Sequence, residues 1–280
     1  MARNSLPLIL LNTKKSAIWR FFLLCLFCFS WSGFVQASNQ HCASHSYDES
    51  ATVKYVNDGD TIKLLDGRKF RLIGINTPEL ARDGQAAEAY ALQPRDRLMS
   101  LLQEHNNQIK LIYGREKQDH YQRSLAHIFL ANGGNLQAQL ISEGLANAIT
   151  IPPNDRYARC YHQIEKQAFC QKKGLWSQKT LSVADLDDSA SGFRVLRGKL
   201  KSIKPSRKGL WLELEHGLGL RIDFQHLSLF DMKQLESLSG HSIIVRGWLQ
   251  TKRNPKNNER FYMQIKHPSS IEEEKKVLQC

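Results

Sequence analysis

The chain has 280 residues, 41% of them hydrophobic and 24% charged, with a formal net charge of +12. These are ordinary values for a globular protein of one or two domains and leave no room for a low-complexity or largely disordered chain. The charge favours polyanionic partners but does not by itself separate nucleic acid from anionic lipid or cell wall.

Residues 1–37 have the order of a secretory signal peptide. Lys14, Lys15 and Arg20 precede an apolar run from Phe21 to Phe34, and Val35-Gln36-Ala37 supplies a small-x-small cleavage pattern. The run is short and broken by Ser and Gly at its end, which argues against a membrane span. Cleavage is expected after Ala37, giving a periplasmic or secreted protein without stable membrane association; an uncleaved anchor is the alternative. The cleaved segment holds four basic residues and no acidic ones, so +8 of the +12 remains. Cys25 and Cys28 leave with it, whereas Cys42, Cys160, Cys170 and Cys280 stay. An even number in an oxidising compartment points to disulfides, and with no CxxC pair in the mature chain a zinc site has no support.

After a lead segment at 38–50, three strand-like stretches follow: Ala51 to Val56, Thr61 to Leu65 and Lys69 to Ile75, separated by Asp58-Gly59 and Asp66-Gly67 turns. They resemble one wall of a small antiparallel barrel. Thr77-Pro78-Glu79 reads as a helix start or sharp turn. A helix is expected from about Gln85 to Leu102, kinked or divided by Pro94. Strands follow at Gln108 to Tyr113 and Ser124 to Leu130, then a short helix from Leu136 to Ser142 ending at Gly144. A last helix should run from Asn154-Asp155, as its cap, to about Lys173.

Residues 178–192 are polar and acidic and read as a linker. Beyond it, residues 193–268 show strands at Phe193 to Ile203, Gly209 to Glu215, Leu218 to Phe224, Ser242 to Leu249 and Arg260 to Ile265. A helix is expected between the third and fourth, near Leu229 to Leu238. That order suggests an OB-type barrel. Trp211, Phe224, Trp248 and Tyr262 are either core residues or base-stacking platforms. Residues 269–280 form a charged tail, expected to be loose. The fold class is therefore mainly β with α (α+β).

Four segments of the first domain can carry chemistry. Asp58-Gly59-Asp60-Thr61 is explained as a turn except for its second carboxylate. Arg71 stands in the apolar run from Phe70 to Ile75, either snorkelling at an edge or held for a purpose. Asn76-Thr77-Pro78-Glu79 reads as a helix cap or as an oxygen-rich cluster suited to a hard cation. Asp119-His120-Tyr121-Gln122-Arg123 is a polar loop or a phosphate-holding one.

In this order and spacing, the four segments resemble the staphylococcal nuclease family, together with Glu143-Gly144-Leu145-Ala146, Pro153-Asn154 and Gly174-Leu175-Trp176-Ser177. The resemblance covers 51–177. It implies a five-stranded OB-type barrel with three helices and a calcium-dependent phosphodiesterase acting on DNA and RNA. By position, Arg71 and Arg123 match the family's phosphate-binding arginines and Glu79 its catalytic glutamate. Asp60 matches a calcium-ligand aspartate, and Thr77 a threonine whose carbonyl is a ligand. Tyr121 lies where the family has a tyrosine near the substrate. Asn76 departs from the aspartate of the best-studied pattern; it keeps an oxygen but loses a charge, so another divalent cation could replace calcium. The second barrel repeats none of this constellation, and no protein partner is expected. The rival reading is a non-catalytic nucleic-acid-binding OB-fold protein of the cell envelope.

The cysteines are constrained by geometry. Cys160 and Cys170 fall on one expected helix, about 15 Å apart at 1.5 Å per residue, beyond the roughly 7 Å that a disulfide spans. Cys42 is the expected partner of one of them. Cys280 is expected to pair with the other or to stay free.

Overall fold

The computed structural model describes residues 42–81, 86–188, 190–252 and 260–280. The expected signal peptide lies outside the described residues. Among them, no helix is long and apolar enough to cross a membrane.

The first domain is a closed barrel. Its strands are β1 (Glu49–Asp58), β2 (Thr61–Leu64) and β3 (Lys69–Leu72), followed after a short β4 (Ile75–Asn76) and helix α1 (Leu92–Gln103) by β5 (Gln108–Gln118) and β6 (Ser124–Leu130). The ring runs β1-β2-β3-β6-β5, with β3 and β6 parallel and the other pairs antiparallel. Inward-facing Ile62, Leu64, Phe70, Leu72, Ile109 and Leu111 fill it. Nearly every residue of β6 is buried, because helix α2 (Leu136–Ser142) covers its outer side.

The third expected strand does not run unbroken to Ile75. It turns at Ile73-Gly74, where Gly74 has φ +87°; a Cβ there would lie 2.5 Å from the Tyr161 ring. The turn sends β4 out of the barrel to pair with β7 (Asn147–Ala148). Thr77 does not start a helix either: residues 77–81 follow β4 without helical structure, and the Thr77 N–H donates to Asp60. Helix α1 begins at Leu92 rather than near Gln85, because Tyr90 adopts a left-handed φ of +67° that a helix cannot contain. Pro94 then falls in the first turn, where its missing N–H leaves no gap and causes no kink. Leu98, Leu101 and Leu102 lie on one face and pack toward β1 and α2.

Helix α2 starts as expected, with the Asn135 side chain accepting from the Ala138 N–H at 2.9 Å. Helix α3 (Ala158–Cys170) is shorter than expected. Asn154 does not cap it; its amide instead accepts from the Glu116 N–H and donates to the Glu116 carbonyl, both at 3.0 Å, fastening the end of β5.

The second domain repeats the same ring. After β8 (Leu181–Ser182) come β9 (Gly192–Ser206), β10 (Gly209–Leu214), β11 (Leu218–Asp223), helices α4 (Phe224–Leu227) and α5 (Met232–Ser237), β12 (Ser242–Thr251), β13 (Phe261–Ile265), β14 (Ile271–Glu273) and helix α6 (Glu274–Val277). Because β12 pairs with both β13 and β9, the sheet closes as β9-β10-β11-β13-β12. In chain order its third and fifth barrel strands, β11 and β13, are parallel neighbours, as are β3 and β6 in the first barrel.

Two expectations fail here. The segment 178–192 is no free linker: Leu181 and Ser182 pair with β9, and Val183 and Leu186 are buried in the second core. Their apolar side chains were masked by the surrounding Asp and Ser residues. The tail 269–280 is not loose: β14 pairs with β12, and Cys280 is disulfide-bonded to Cys170.

Candidate active site

The site starts at the β1–β2 turn. The Asp58 carboxylate accepts from the Asp60 N–H at 3.1 Å, which curls the turn inward. Gly59 is needed there: a Cβ would lie 2.7 Å from Pro94 Cβ and 2.8 Å from Thr77 Oγ1. The close approach carries Asp60 into the interior, where it is only 6% exposed.

Asp60 is the centre of the cluster. Its Oδ2 accepts from the Thr77 N–H at 3.2 Å and the Thr77 hydroxyl at 3.1 Å, and lies 2.9 Å from Arg71 Nη2. Its Oδ1 accepts from the Thr61 hydroxyl at 3.2 Å. Arg71 stands opposite Thr61 in the β2–β3 ladder, so the hairpin register brings it to Asp60. Its guanidinium also donates to the Leu72 carbonyl at 2.6 Å and, more weakly at 3.5 Å, to Asn76 Oδ1. Asn76 Nδ2 donates to the Thr77 carbonyl at 3.2 Å. The structure therefore brings Asp60, Arg71, Asn76 and Thr77 into one contact network.

Asp58 adds a second carboxylate that sequence reasoning treated only as a turn residue. Burial, followed by the charge of Asp60, raises its carboxyl to about 6.

Glu79 is placed differently. It lies at the surface, two residues beyond Thr77. Its backbone is clamped: its N–H donates to Glu88 Oε2 at 3.0 Å, and its carbonyl accepts from the Glu88 N–H at 2.9 Å.

Arg123 and Tyr121 form a second group around Asp119. Asp119 Oδ2 accepts from Arg123 Nε at 2.7 Å, and its Oδ1 accepts from the backbone N–H groups of Arg123 and Tyr121 at 2.9 and 3.0 Å. The Arg123 guanidinium lies 5.4 Å from the centre of the Tyr121 ring, which is 69% exposed. Arg123 immediately precedes β6, whose Ser124, Leu125 and Ala126 pair with Phe70, Arg71 and Leu72 of β3. Arg71 thus stands on β3 and Arg123 just ahead of the neighbouring parallel strand β6.

Among the described residues, no group of three or more His, Cys, Asp and Glu side chains forms a metal cluster. The donor set in question is of another kind: the Asp60 carboxylate, the Thr77 carbonyl and the amide oxygen of Asn76, with Asp58 next to them. A buried carboxylate, Asp60, beside a partly buried one, Asp58, whose carboxyl pKa is raised, is a pairing that a hard oxygen-seeking cation relieves. The residues present fit such an ion.

Sequence reasoning missed Glu88, Asp119 as an anchor, and two arginines of the second barrel. Arg194 Nη1 lies 2.6 Å from Glu88 Oε1. Arg246 pairs with Glu165 of α3 and donates to the Ala148 carbonyl at 3.0 Å. These contacts span 81 to 106 positions, and no local pattern marks them. In the second barrel Trp211 and Tyr262 stack on each other with their centroids 5.9 Å apart, while Phe224 and Trp248 are 63% and 44% exposed.

Comparison with known proteins places these residues in a family context. A family model described as staphylococcal nuclease homologue matches residues 69–178, a span that includes Arg71, Glu79 and Arg123 but begins after Asp60. The chain is 35% identical over 133 residues to a thermonuclease of Staphylococcus intermedius, covering 46% of this chain and 77% of that protein. It is 33% identical over 137 residues to a thermonuclease of Staphylococcus hyicus, covering 48% and 79%. It is 29% identical over 157 residues to an uncharacterized endonuclease of Escherichia coli O157:H7, covering 55% and 87%.

Proposed function

The chain belongs to the staphylococcal nuclease family, and from that premise we propose that it is an exported endonuclease hydrolysing phosphodiester bonds of DNA, RNA or both, with calcium or another hard divalent cation as cofactor. The observation that carries this reading is the Asp60–Arg71–Thr77 network, with Asp60 and Thr77 buried and Glu79 two residues beyond Thr77.

A phosphodiester resists attack because it is anionic and its leaving oxygen is poor. Arg71 and Arg123 offer planar donor forks to the phosphate oxygens, and the Asp119 carboxylate fixes Arg123 in orientation. Glu79 orients a water and accepts its proton as it attacks phosphorus. Arg123 stabilises the leaving side by charge rather than by proton donation, because a guanidinium does not give up its proton at neutral pH. Asp60, Asn76 and the Thr77 carbonyl would hold the cation, which supplies neutralisation of charge on the phosphoryl oxygens when bound. Tyr121, exposed beside Arg123, offers a flat contact to the substrate. The net positive charge favours the polyanion at longer range. The apolar segment ending in Val35-Gln36-Ala37 and the disulfides Cys42–Cys160 and Cys170–Cys280 support export.

The test is incubation of the purified mature protein with plasmid DNA and with RNA, in calcium and in chelator. Cleavage in calcium that stops in chelator is expected. Glu79→Gln should lower turnover by about 10² or more with the fold unchanged. Nucleic acid that is bound but never cut would replace this reading with that of a non-catalytic binding protein.

A further inference from the structure

The second barrel makes two contacts that lead to the active-site loop, one through the Glu88 side chain and one through β7, which pairs with β4. The first starts at Arg194 in β9. Its Nη1 lies 2.6 Å from Glu88 Oε1, and the other oxygen of the same carboxylate accepts from the Glu79 N–H at 3.0 Å. Glu88 returns its own N–H to the Glu79 carbonyl at 2.9 Å. One carboxylate is therefore held on one side by the second barrel and holds on the other side the peptide that carries Glu79. The second contact starts at Arg246 in β12. It donates to the carbonyl of Ala148, whose N–H donates to Glu165 at 2.7 Å, and it pairs with that same Glu165. Ala148 lies in β7, which pairs with β4 through Ile75–Ala148 and Asn76–Asn147. Arg246 thus fastens the strand on which Asn76 stands.

These contacts bracket residues 76–79 from both ends. Glu79 lies outside any strand or helix, and its N–H and carbonyl both bond to Glu88. A shift of about 1 Å in a base costs on the order of tenfold to 100-fold in rate. We propose that the second barrel is a positioning element of the nuclease site, with Arg194 acting through Glu88 to hold Glu79 in its working place. This rests on the reading of Glu79 as the base, and it assigns the second domain a role in turnover without giving it any chemistry of its own.

The experiment is steady-state cleavage of a short fluorescent oligonucleotide by the full mature chain in calcium, alongside thermal unfolding. Arg194→Met should lower kcat about tenfold, leave KM within twofold and leave the thermal midpoint nearly unchanged; Arg194→Lys should recover part of the loss. The exchanged pair, Glu88→Arg with Arg194→Glu, restores opposite charges across the barrels but leaves the Glu79 N–H without its acceptor, so turnover should stay low. Full recovery in the exchanged pair would show that the contact only fastens the barrels, and would overturn the proposal. If Arg194→Met unfolds early, Glu88→Gln carries the test: it should lower kcat several-fold at constant KM, and an unchanged kcat refutes the idea. Near-normal turnover in Glu79→Gln would overturn the base assignment and this inference with it. An inactive Glu79→Gln beside a fully active Arg194→Met would overturn this inference alone.

Discussion

Arg71 Nη2 and Asp60 Oδ2 stand 2.9 Å apart, with side-chain exposures of 13% and 8%. The guanidinium therefore neutralises the carboxylate on which the proposed cation site depends. A divalent ion approaching Asp60 competes with Arg71 and is repelled by it. Replacing Arg71 should thus separate two properties that usually fall together. Arg71→Gln is expected to bind calcium more tightly, on the order of tenfold, while cleaving at least about 10² more slowly because a phosphate donor is lost. Calorimetric calcium titration beside turnover checks both. Weaker calcium binding in this variant would mean that Arg71 supports the ion rather than competing with it.

His127 in β6 gives a pH dependence that owes nothing to catalysis. It is 2% exposed, and its Nδ1 lies 2.9 Å from the Tyr161 hydroxyl, which donates to Asn135 Oδ1 at 3.2 Å. Burial first, and the charge of Arg156 second, push its pKa down to about 3. In the unfolded chain an imidazole titrates near 6.5. Between these values the unfolded state takes up a proton that the folded state refuses, so stability is full above about 6.5 and is lost as pH falls toward 3. The slope reaches about 1.4 kcal/mol per pH unit. Urea unfolding at pH 7.5 and 5.0 should show this loss in the wild type and a smaller one in His127→Gln. Parallel losses in the two proteins would place the acid sensitivity elsewhere.

The residues of the central cluster were singled out in the sequence by the order and spacing that carry the family resemblance, and their contact is local. Asp60, Arg71 and Thr77 come from two successive hairpins and the turn after them, and a hairpin register fixes which residues meet. The second barrel was legible for a similar reason: Phe261, Met263 and Ile265 are buried while Tyr262 and Gln264 are not, the period of a half-buried strand. The unread features are non-local. Asn154 reads as a helix cap until the chain brings Glu116 beside it. Val183 lies in a short Leu181-Ser182-Val183-Ala184-Asp185 stretch without a clear period, and it is buried against β9, where a Cβ at Gly198 would come within 2.9 Å of its methyl. Glu88 and Arg194 are ordinary surface residues until the two barrels meet.

Glu165 and Arg246 are a buried pair, 4% and 5% exposed. Burial alone would raise the Glu165 carboxyl, but Arg246 and then His162 outweigh it and bring it below the usual range. Removing one member leaves the other charge buried with only a more distant partner, Glu272 at 3.5 Å for Arg246 or His162 at 3.6 Å for Glu165. Arg246→Met or Glu165→Gln alone should cost about 3–5 kcal/mol. The double variant Arg246→Met with Glu165→Gln should cost clearly less than the sum of the single changes, because neither buried charge remains. A double-mutant cycle by urea unfolding measures this, and strict additivity would show that the pair is not coupled.

The cysteines give the last prediction. Cys42 pairs with Cys160 and Cys170 with Cys280, at Cα separations of 5.9 and 5.5 Å, so the two cysteines of helix α3 bond in different directions. The first bond ties the segment ahead of β1 to α3. The second ties the end of the second barrel to the same helix, ten residues along. Each spans more than 100 positions, 118 and 110 respectively, so each removes a large loop-closure entropy from the unfolded chain. Losing either should cost about 2–4 kcal/mol. Cys170→Ser with Cys280→Ser should lower the unfolding midpoint under non-reducing conditions, yet cleave normally at 25 °C, because Arg194 and Arg246 still hold the second barrel against the first. Cys42→Ser with Cys160→Ser should cost stability in the first barrel itself. Non-reducing peptide mapping of protein recovered after export should find the Cys42–Cys160 and Cys170–Cys280 peptides. A linked Cys160–Cys170 peptide, or four free thiols, would show the pairing to be wrong.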